Sequence, residues 1–280
     1  MNMRQSNRLA SLFNGMIVLL VLFFALFPFF WLMRTAVTPM RDAFSLKPRL
    51  LPESLTLDNI ERVLTSPTIP FLRQFGNSLI VSVSTTLLVI LIGTSGAYSL
   101  ARLNFRGRGA LSISLLLIQL FPAVLLVIPL FVVMVNLRLT DSLLGLVLAY
   151  TTSNLPFATW LLRGYFLSMP AELEDAARID GCGTFGVLVR IILPLAAPGI
   201  AAAATLAFVS SWNEFLVANV LISNHRLRVL SIGLTAYIDQ FQTDYSGLFA
   251  MALLTTVPIV LVFMFFQSYI VGGLTAGAVK

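Results

Sequence analysis

The stretch Ser168-Met-Pro-Ala-Glu-Leu-Glu-Asp-Ala-Ala-Arg-Ile-Asp-Gly-Cys-Gly-Thr-Phe-Gly186, which continues to Arg190-Ile-Ile-Leu-Pro194, decides how the rest of the chain is read. It holds four acids, Glu172, Glu174, Asp175 and Asp180, between flanks apolar enough to lie in lipid. Ser168 or Pro170 can open a helix, because proline fits the first turn. Three of the acids then fall in that turn, where the positive end of the helix dipole favours them. Gly181 and Gly183 permit the left-handed backbone that ends a helix. Thr184 can cap a second helix that runs to Leu193 and stops at Pro194. The spacing therefore predicts a helix–turn–helix lying along a membrane surface. Its Ala176-Ala177 face is nearly bare, and such a face can enter another protein's cleft with little side-chain entropy lost. Two readings stand at this point: a docking element for a soluble partner, or a solvated loop helix resting on headgroups.

Outward from this island the composition is that of a membrane protein. The 280 residues are 58% hydrophobic and 11% charged, where soluble domains carry roughly 25% charged residues; mean hydropathy is +0.92. At about 20 apolar residues per spanning helix, the chain has room for about six. The net charge of +6 does not point to nucleic acid, since the basic residues are scattered over loops with no basic stripe or interleaved aromatics. Cys182 is the one cysteine and His225 the one histidine, so neither an intramolecular disulfide nor a metal cluster is expected.

Six apolar stretches are expected to span: 12–33, 77–100, 110–135, 143–162, 196–222 and 248–270, with the polar island as the loop 168–194. The whole of 1–280 reads as a single transmembrane domain of all-α class. The first stretch follows Arg4 and Arg8 and exceeds a signal peptide's apolar core, so it reads as an uncleaved span. Between the first two spans, Pro39, Pro48, Pro52, Pro67 and Pro70 predict extended or turn structure. A short helix is expected there over 54–64, capped by Thr56 or Asp58. The span 77–100 is rich in serine, threonine and glycine, which let helices approach closely in lipid. The span 110–135 is interrupted by Pro122 and Pro129.

Orientation follows from lysine and arginine near span ends. With a cytoplasmic N-terminus, nine fall on the cytoplasmic side and nine on the other. Density breaks the tie: Arg102, Arg106 and Arg108 sit together in one short hairpin. The N-terminus, the island and the C-terminus are accordingly read as cytoplasmic, and Cys182 as facing a reducing compartment.

The island resembles the EAA loop of ABC importer membrane subunits: Glu-Ala-Ala, a glycine four residues on, then Ile-x-Leu-Pro. Here those positions are Asp175-Ala176-Ala177, Gly181 and Ile191-Ile-Leu193-Pro194, with Asp175 in place of the usual glutamate. Further matches are Asn77-Ser-Leu, Ala97-Tyr-Ser-Leu-Ala-Arg-Leu-Asn-Phe-Arg-Gly-Arg108, Phe121-Pro122, Thr140-Asp-Ser142, Ser211-Trp-Asn-Glu-Phe-Leu216 and the tail Ile270–Lys280. Together they resemble carbohydrate-importer permeases of the maltose-transporter second-subunit type. The resemblance implies the type I importer permease fold of a bacterial inner membrane. It also implies a second homologous permease (a heterodimer), two ATP-binding subunits, and an extracytoplasmic solute-binding protein that delivers the carbohydrate. ATP and Mg would be held by the partner subunits, with no cofactor on this chain, which is then not an enzyme. The resemblance further implies that the island is a coupling helix seated in an ATPase groove, through Glu174, Asp175, Ala176, Ala177, Asp180, Gly181, Leu193 and Pro194. The tail would reach toward the ATPases. Asp239, Gln240, Phe241 and Gln242 would form a loop facing the binding protein.

Polar residues inside spans are functional candidates by default. Gln119, Asn154, Asn213 and Glu214 are the candidates here, as contacts on the sugar pathway or as members of interhelix hydrogen-bond networks. Tyr150 and Trp160 could stack on a sugar, though aromatics at span ends also mark the membrane interface. The competing class is an ion-coupled secondary transporter, which wants acids or histidines near the midplane. Only Glu214 is available, and it sits near one end of its span. An intramembrane enzyme finds no Ser/His/Asp set and no paired carboxylates.

Overall fold

The computed structural model describes residues 3–43, 50–52, 54–238 and 243–276, with side chains over 13–40, 42, 50–52, 54–238 and 243–269. Helices make up nearly all of the regular structure, and the described residues contain no strand beyond one antiparallel bridge, Ile238 to Thr243. In chain order the helices are α1 (Met3–Ala36), a single turn at Met40–Ala43, α2 (Asp58–Thr65), α3 (Phe71–Arg102), α4 (Arg108–Gln119), α5 (Ala123–Asn136), α6 (Leu143–Ser168), α7 (Glu172–Ile179), α8 (Thr184–Leu195), α9 (Ala197–Asn213), α10 (Leu216–Leu221), α11 (Leu230–Thr235) and α12 (Tyr245–Ala276).

Among the described residues, three stretches are long and apolar enough to cross a bilayer: Phe13–Ala36, Phe71–Arg102 and Tyr245–Tyr269. Counting each of two bent pairs as one span raises the number to as many as five. The expected span 110–135 is not one straight helix: α4 and α5 meet at 106° across Leu120-Phe121-Pro122. Pro122 has no amide hydrogen to continue α4, and its fixed φ instead opens α5 at the cap position. The expected span 196–222 is also broken. Helix α8 turns by 79° into α9, and α9 ends at Asn213 before the short α10. The expected span 143–162 is a continuous helix of 26 residues, α6, but it is not apolar enough to count with the others. Its middle carries Thr151, Thr152, Ser153 and Asn154. Each satisfies its side chain within the helix, donating to the carbonyl four residues back at 2.7, 2.9, 3.2 and 2.8 Å respectively.

By contacts the chain falls into two compact units. The first comprises Met1–Phe71 and Leu234–Thr256. Within it Asn59 Nδ2 donates to the carbonyls of Ala36 and Thr38, at 3.0 and 2.8 Å, and pins α2 to the end of α1. Neither expected cap is used: Leu57 holds the N-cap position of α2 and no side chain bonds across it, while the Thr56 hydroxyl accepts from the Asp58 amide at 3.1 Å in the turn that leads in. Arg62 pairs with Asp244 at 3.0 Å.

The second unit comprises Leu72–Gly233 and Val257–Lys280. One of its buried clusters, around Leu146, Tyr150 and Leu221, joins α5, α6 and α10. Another, around Leu162, Phe166 and Ile192, joins α3, α6, α7 and α8. The small residues of α3 do bring helices close. A side chain added at Gly93 or Gly96 would meet Thr159 of α6 at 3.5 Å. Gly199 in α9 lies flat against the ring of Tyr165, which an added Cβ would approach to 2.7 Å.

Candidate functional site

The polar island is built on the C-terminal end of α3. Leu100 O accepts from Arg108 Nε at 2.8 Å and Arg163 Nε at 3.3 Å, and Ala101 O accepts from Arg108 Nη2 at 2.9 Å. These cations satisfy carbonyls that the helix end leaves open and oppose its dipole. Arg102 reaches the other way. Its Nη2 donates to Met169 O at 2.9 Å, just where α6 gives way to the island, and its Nε pairs with the Glu174 carboxylate. Tyr98 donates its hydroxyl to Glu174 Oε2 at 3.0 Å. Of the three hairpin arginines that sequence reading takes as an orientation signal, two are thus structural ties, and Arg106 is exposed.

Two boundaries differ from expectation. Ser168 closes α6 rather than opening the island's helix, and α7 begins at Glu172. The facing of α7 differs as well. Glu174 and Ala177, one helical turn apart, point inward and are 4% and 6% exposed. Ala177 joins the cluster of Ala97, Tyr98 and Ala101, so the bare face of two alanines is not present. Only Ala176 lies on the outer face, with Asp175 beside it. By helical spacing Leu173 and Asp180, and Glu172 and Ile179, flank Ala176. That leaves a shallow spot between exposed apolar side chains. Ile179 is 87% exposed, and Phe185, in the first turn of α8, is 78% exposed. Sequence reading missed both. Their signal was available: each is an apolar residue out of phase with the inward stripe, on either side of the Gly181 turn.

The turn is a complete Schellman motif. Cys182 N donates to Ala177 O and Gly181 N to Arg178 O, both at 3.0 Å, with Gly181 at φ +85°. Cys182, half-buried, packs into the same cluster as Ala177 and supplies the apolar contact that accompanies such turns. Beyond it α8 does not run evenly to Pro194. Residues Leu188–Ile192 form a wide π turn before Leu193-Pro194-Leu195. Proline removes one amide donor and crowds the preceding turn, and a π turn is a common way to absorb such a break. Leu193 packs on the cluster and Pro194 is exposed.

The span candidates separate. Gln119 and Asn154 line one cavity of about 270 Å³, together with Ser153, Phe157 and Ser210. Asn213 and Glu214 are not part of it. Asn213 is exposed and donates to the Val209 carbonyl of its own helix at 2.9 Å. Glu214 bridges the break between α9 and α10, accepting from Val217 N at 2.8 Å and Ala218 N at 3.1 Å, while its carbonyl accepts from Ser231 at 2.6 Å. Tyr150 is buried in the core.

Asp239, Gln240, Phe241 and Gln242 lie outside the described residues, as does the end of the tail, 277–280. The stems of that loop are held by the Ile238–Thr243 bridge and by Asp244 N on Tyr237 O at 2.9 Å. Burial raises the pKa of Tyr237 above its ordinary value, opposed by Arg62 and reinforced by Asp244. Among the described residues no group of His, Cys, Asp and Glu could hold a metal.

The family model for the "binding-protein-dependent transport system inner membrane component" matches residues 89–275, which contain the island, the bent spans and the cavity. The chain belongs to this family. Among similar proteins is the sulfoquinovosyl glycerol transport system permease of Agrobacterium fabrum, 37% identical over 91% of this chain and 89% of that one. The arabinooligosaccharides transport system permease of Halalkalibacterium halodurans is 36% identical over 93% of each. The trehalose/maltose transport system permease of Thermococcus litoralis is 34% identical over 94% of each. Among solved structures, a bacterial ABC transporter involved in import of the acidic polysaccharide alginate matches with a TM-score of 0.81, at 24% identity, over 95% of this permease and 98% of that chain. The permease is therefore a multi-pass membrane protein with the fold of an ABC importer subunit.

Proposed function

We propose that this chain is the membrane-spanning permease of an ATP-driven importer that moves a carbohydrate handed over by an extracytoplasmic binding protein. The carbohydrate class rests on relatives whose names specify saccharides or a sugar glycerol glycoside. The chain works with a second homologous permease and two ATP-binding subunits, which hold ATP and Mg. Its N- and C-termini and the island face the cytoplasm.

One observation carries the coupling role: α7 turns its acid Glu174 inward, onto α3, while the island leaves Ile179 of α7 and Phe185 of α8 bare on a polar segment. Two large apolar side chains left bare on either side of one tight turn are the kind of surface that docking on a protein would cover. Asp175, Ala176, Asp180 and Gly181 lie on or beside that face and complete the surface offered to the ATPase. Leu193 and Pro194, at the π turn, pass its displacement into α9. Gln119 and Asn154 are the pathway candidates because they share a polar cavity. Glu214 is better described as the cap of α10, and Asn213 as a lipid- or subunit-facing residue. This also weakens the ion-coupled reading, whose single acid is committed to two backbone amides.

The test is a cysteine at Ile179 in a Cys182→Ser background. In membrane vesicles it is expected to cross-link to an ATPase subunit. Labelling of that cysteine by an impermeant reagent from outside intact cells would refute both the docking and the orientation.

A further inference from the structure

A docking helix has little use for a buried acid, yet Glu174 is enclosed, its side chain 5% exposed against 14% for that of Arg102. Taking both charges out of water costs several kcal/mol per ion, so such a pair is a poor device for stability alone. It is a good device for fixing register, because any slide of one helix along the other leaves an unpaired charge in the interior. The surroundings agree. Tyr98 adds a hydrogen bond to the carboxylate beside the ion pair, with its ring edge-on to Phe166 at 6.4 Å. Arg102 also grips Met169, on the connection into α7. Both ends of that connection are thus tied to one turn of α3, where Arg178 also meets the Tyr98 hydroxyl, and the apolar residues the two helices bring to their shared cluster are small, Ala177 from α7 and Ala97 and Ala101 from α3. Small apolar faces can slip past one another, and a paired buried charge cannot.

We infer that Tyr98, Arg102 and Glu174 form a rigid joint that makes α7 and α3 move as one body. Displacement of the docking face is then delivered along α3 to its Gly93 and Gly96 contact with Thr159 of α6. Helix α6 carries Ser153 and Asn154 into the polar cavity. Glu174 acts inside this chain rather than on the ATPase, and all three are positioning residues. The inference rests on the proposed docking of α7 on an ATPase subunit.

The test uses the assembled importer complex with its binding protein, in a Cys182→Ser background, with one environment-sensitive fluorophore at Asp180→Cys on α7 or at Ser153→Cys in the cavity. The complex is trapped with Mg-ATP and vanadate. With the joint intact, both fluorophores respond. With Arg102→Gln, the Asp180 response persists and the Ser153 response is lost. Tyr98→Phe keeps the ring against Phe166 and serves if Arg102→Gln does not assemble; it lowers the Ser153 response and leaves the Asp180 response unchanged. A Ser153 response equal to that of the intact joint in either variant overturns the joint while leaving ATPase docking standing. Absence of both responses with the joint intact overturns the docking reading and the joint with it.

Discussion

Replacing Gly181 tests whether the island's turn acts through its backbone shape. The residue sits at φ +85°, and a Cβ built on it meets no atom within 4 Å. Within this chain the cost of a side chain is therefore conformational and not steric. For an L-residue the left-handed conformation costs about 1–2 kcal/mol, equivalent to about a 5- to 30-fold shift toward the open turn. Asparagine visits this conformation more readily than alanine, and a β-branched residue much less. The expected order of damage is Asn, then Ala, then Val. Two readouts follow it. ATP-dependent uptake falls in that order while membrane insertion is unchanged. Hydrogen exchange of the Cys182 amide, which donates to Ala177 O at 3.0 Å, speeds up by about 5- to 30-fold for Gly181→Ala. An order that follows side-chain volume instead, with Ala mildest and Asn as severe as Val, would mean that space in a partner's cleft limits the site. Unchanged uptake and exchange in Gly181→Val would refute the conformational argument altogether.

Glu214→Ala removes both acceptors from the start of α10; a lost cap costs about 0.5–2 kcal/mol, so the melting temperature of the purified complex drops while substrate dependence of uptake stays as it was. Asn154→Ala gives up one bond within its own helix and a polar group of the cavity, so it raises the apparent KM for uptake with little change in thermal stability. Gly199→Ala drives a methyl to 2.7 Å from the Tyr165 ring; overpacking of this kind costs about 1–3 kcal/mol, and in a Tyr165→Ala chain, where the ring is absent, Gly199→Ala no longer lowers the melting temperature further.

Spans were legible where apolar runs are unbroken, because length and hydropathy alone decide whether a helix can cross. Bends were less so. Pro122 announces an interruption, but not that α4 and α5 turn through 106°, since they pack on partners distant in sequence, α4 on α6 and α5 on α10. The break at Glu214 was hidden because a single acid inside an apolar stretch reads equally as a pathway group or as a cap. In the island, the turn was legible from Gly181, since only a few residues tolerate its backbone. The inward face was not. Ala176 and Ala177 are equal in hydropathy, and the choice between them is made by Tyr98 and Arg102, more than 70 residues away in sequence. Glu174 among surface acids looked like one more solvated charge until its partner on α3 was in view.

The central claim is ATP-driven import dependent on a binding protein, and transport into proteoliposomes addresses it directly. The complex purified through this chain is reconstituted, and uptake of the radiolabelled carbohydrate bound by the cognate binding protein is followed. Accumulation that requires both internal ATP and the binding protein is the expected result. Accumulation driven by a proton gradient with no ATP present would contradict it.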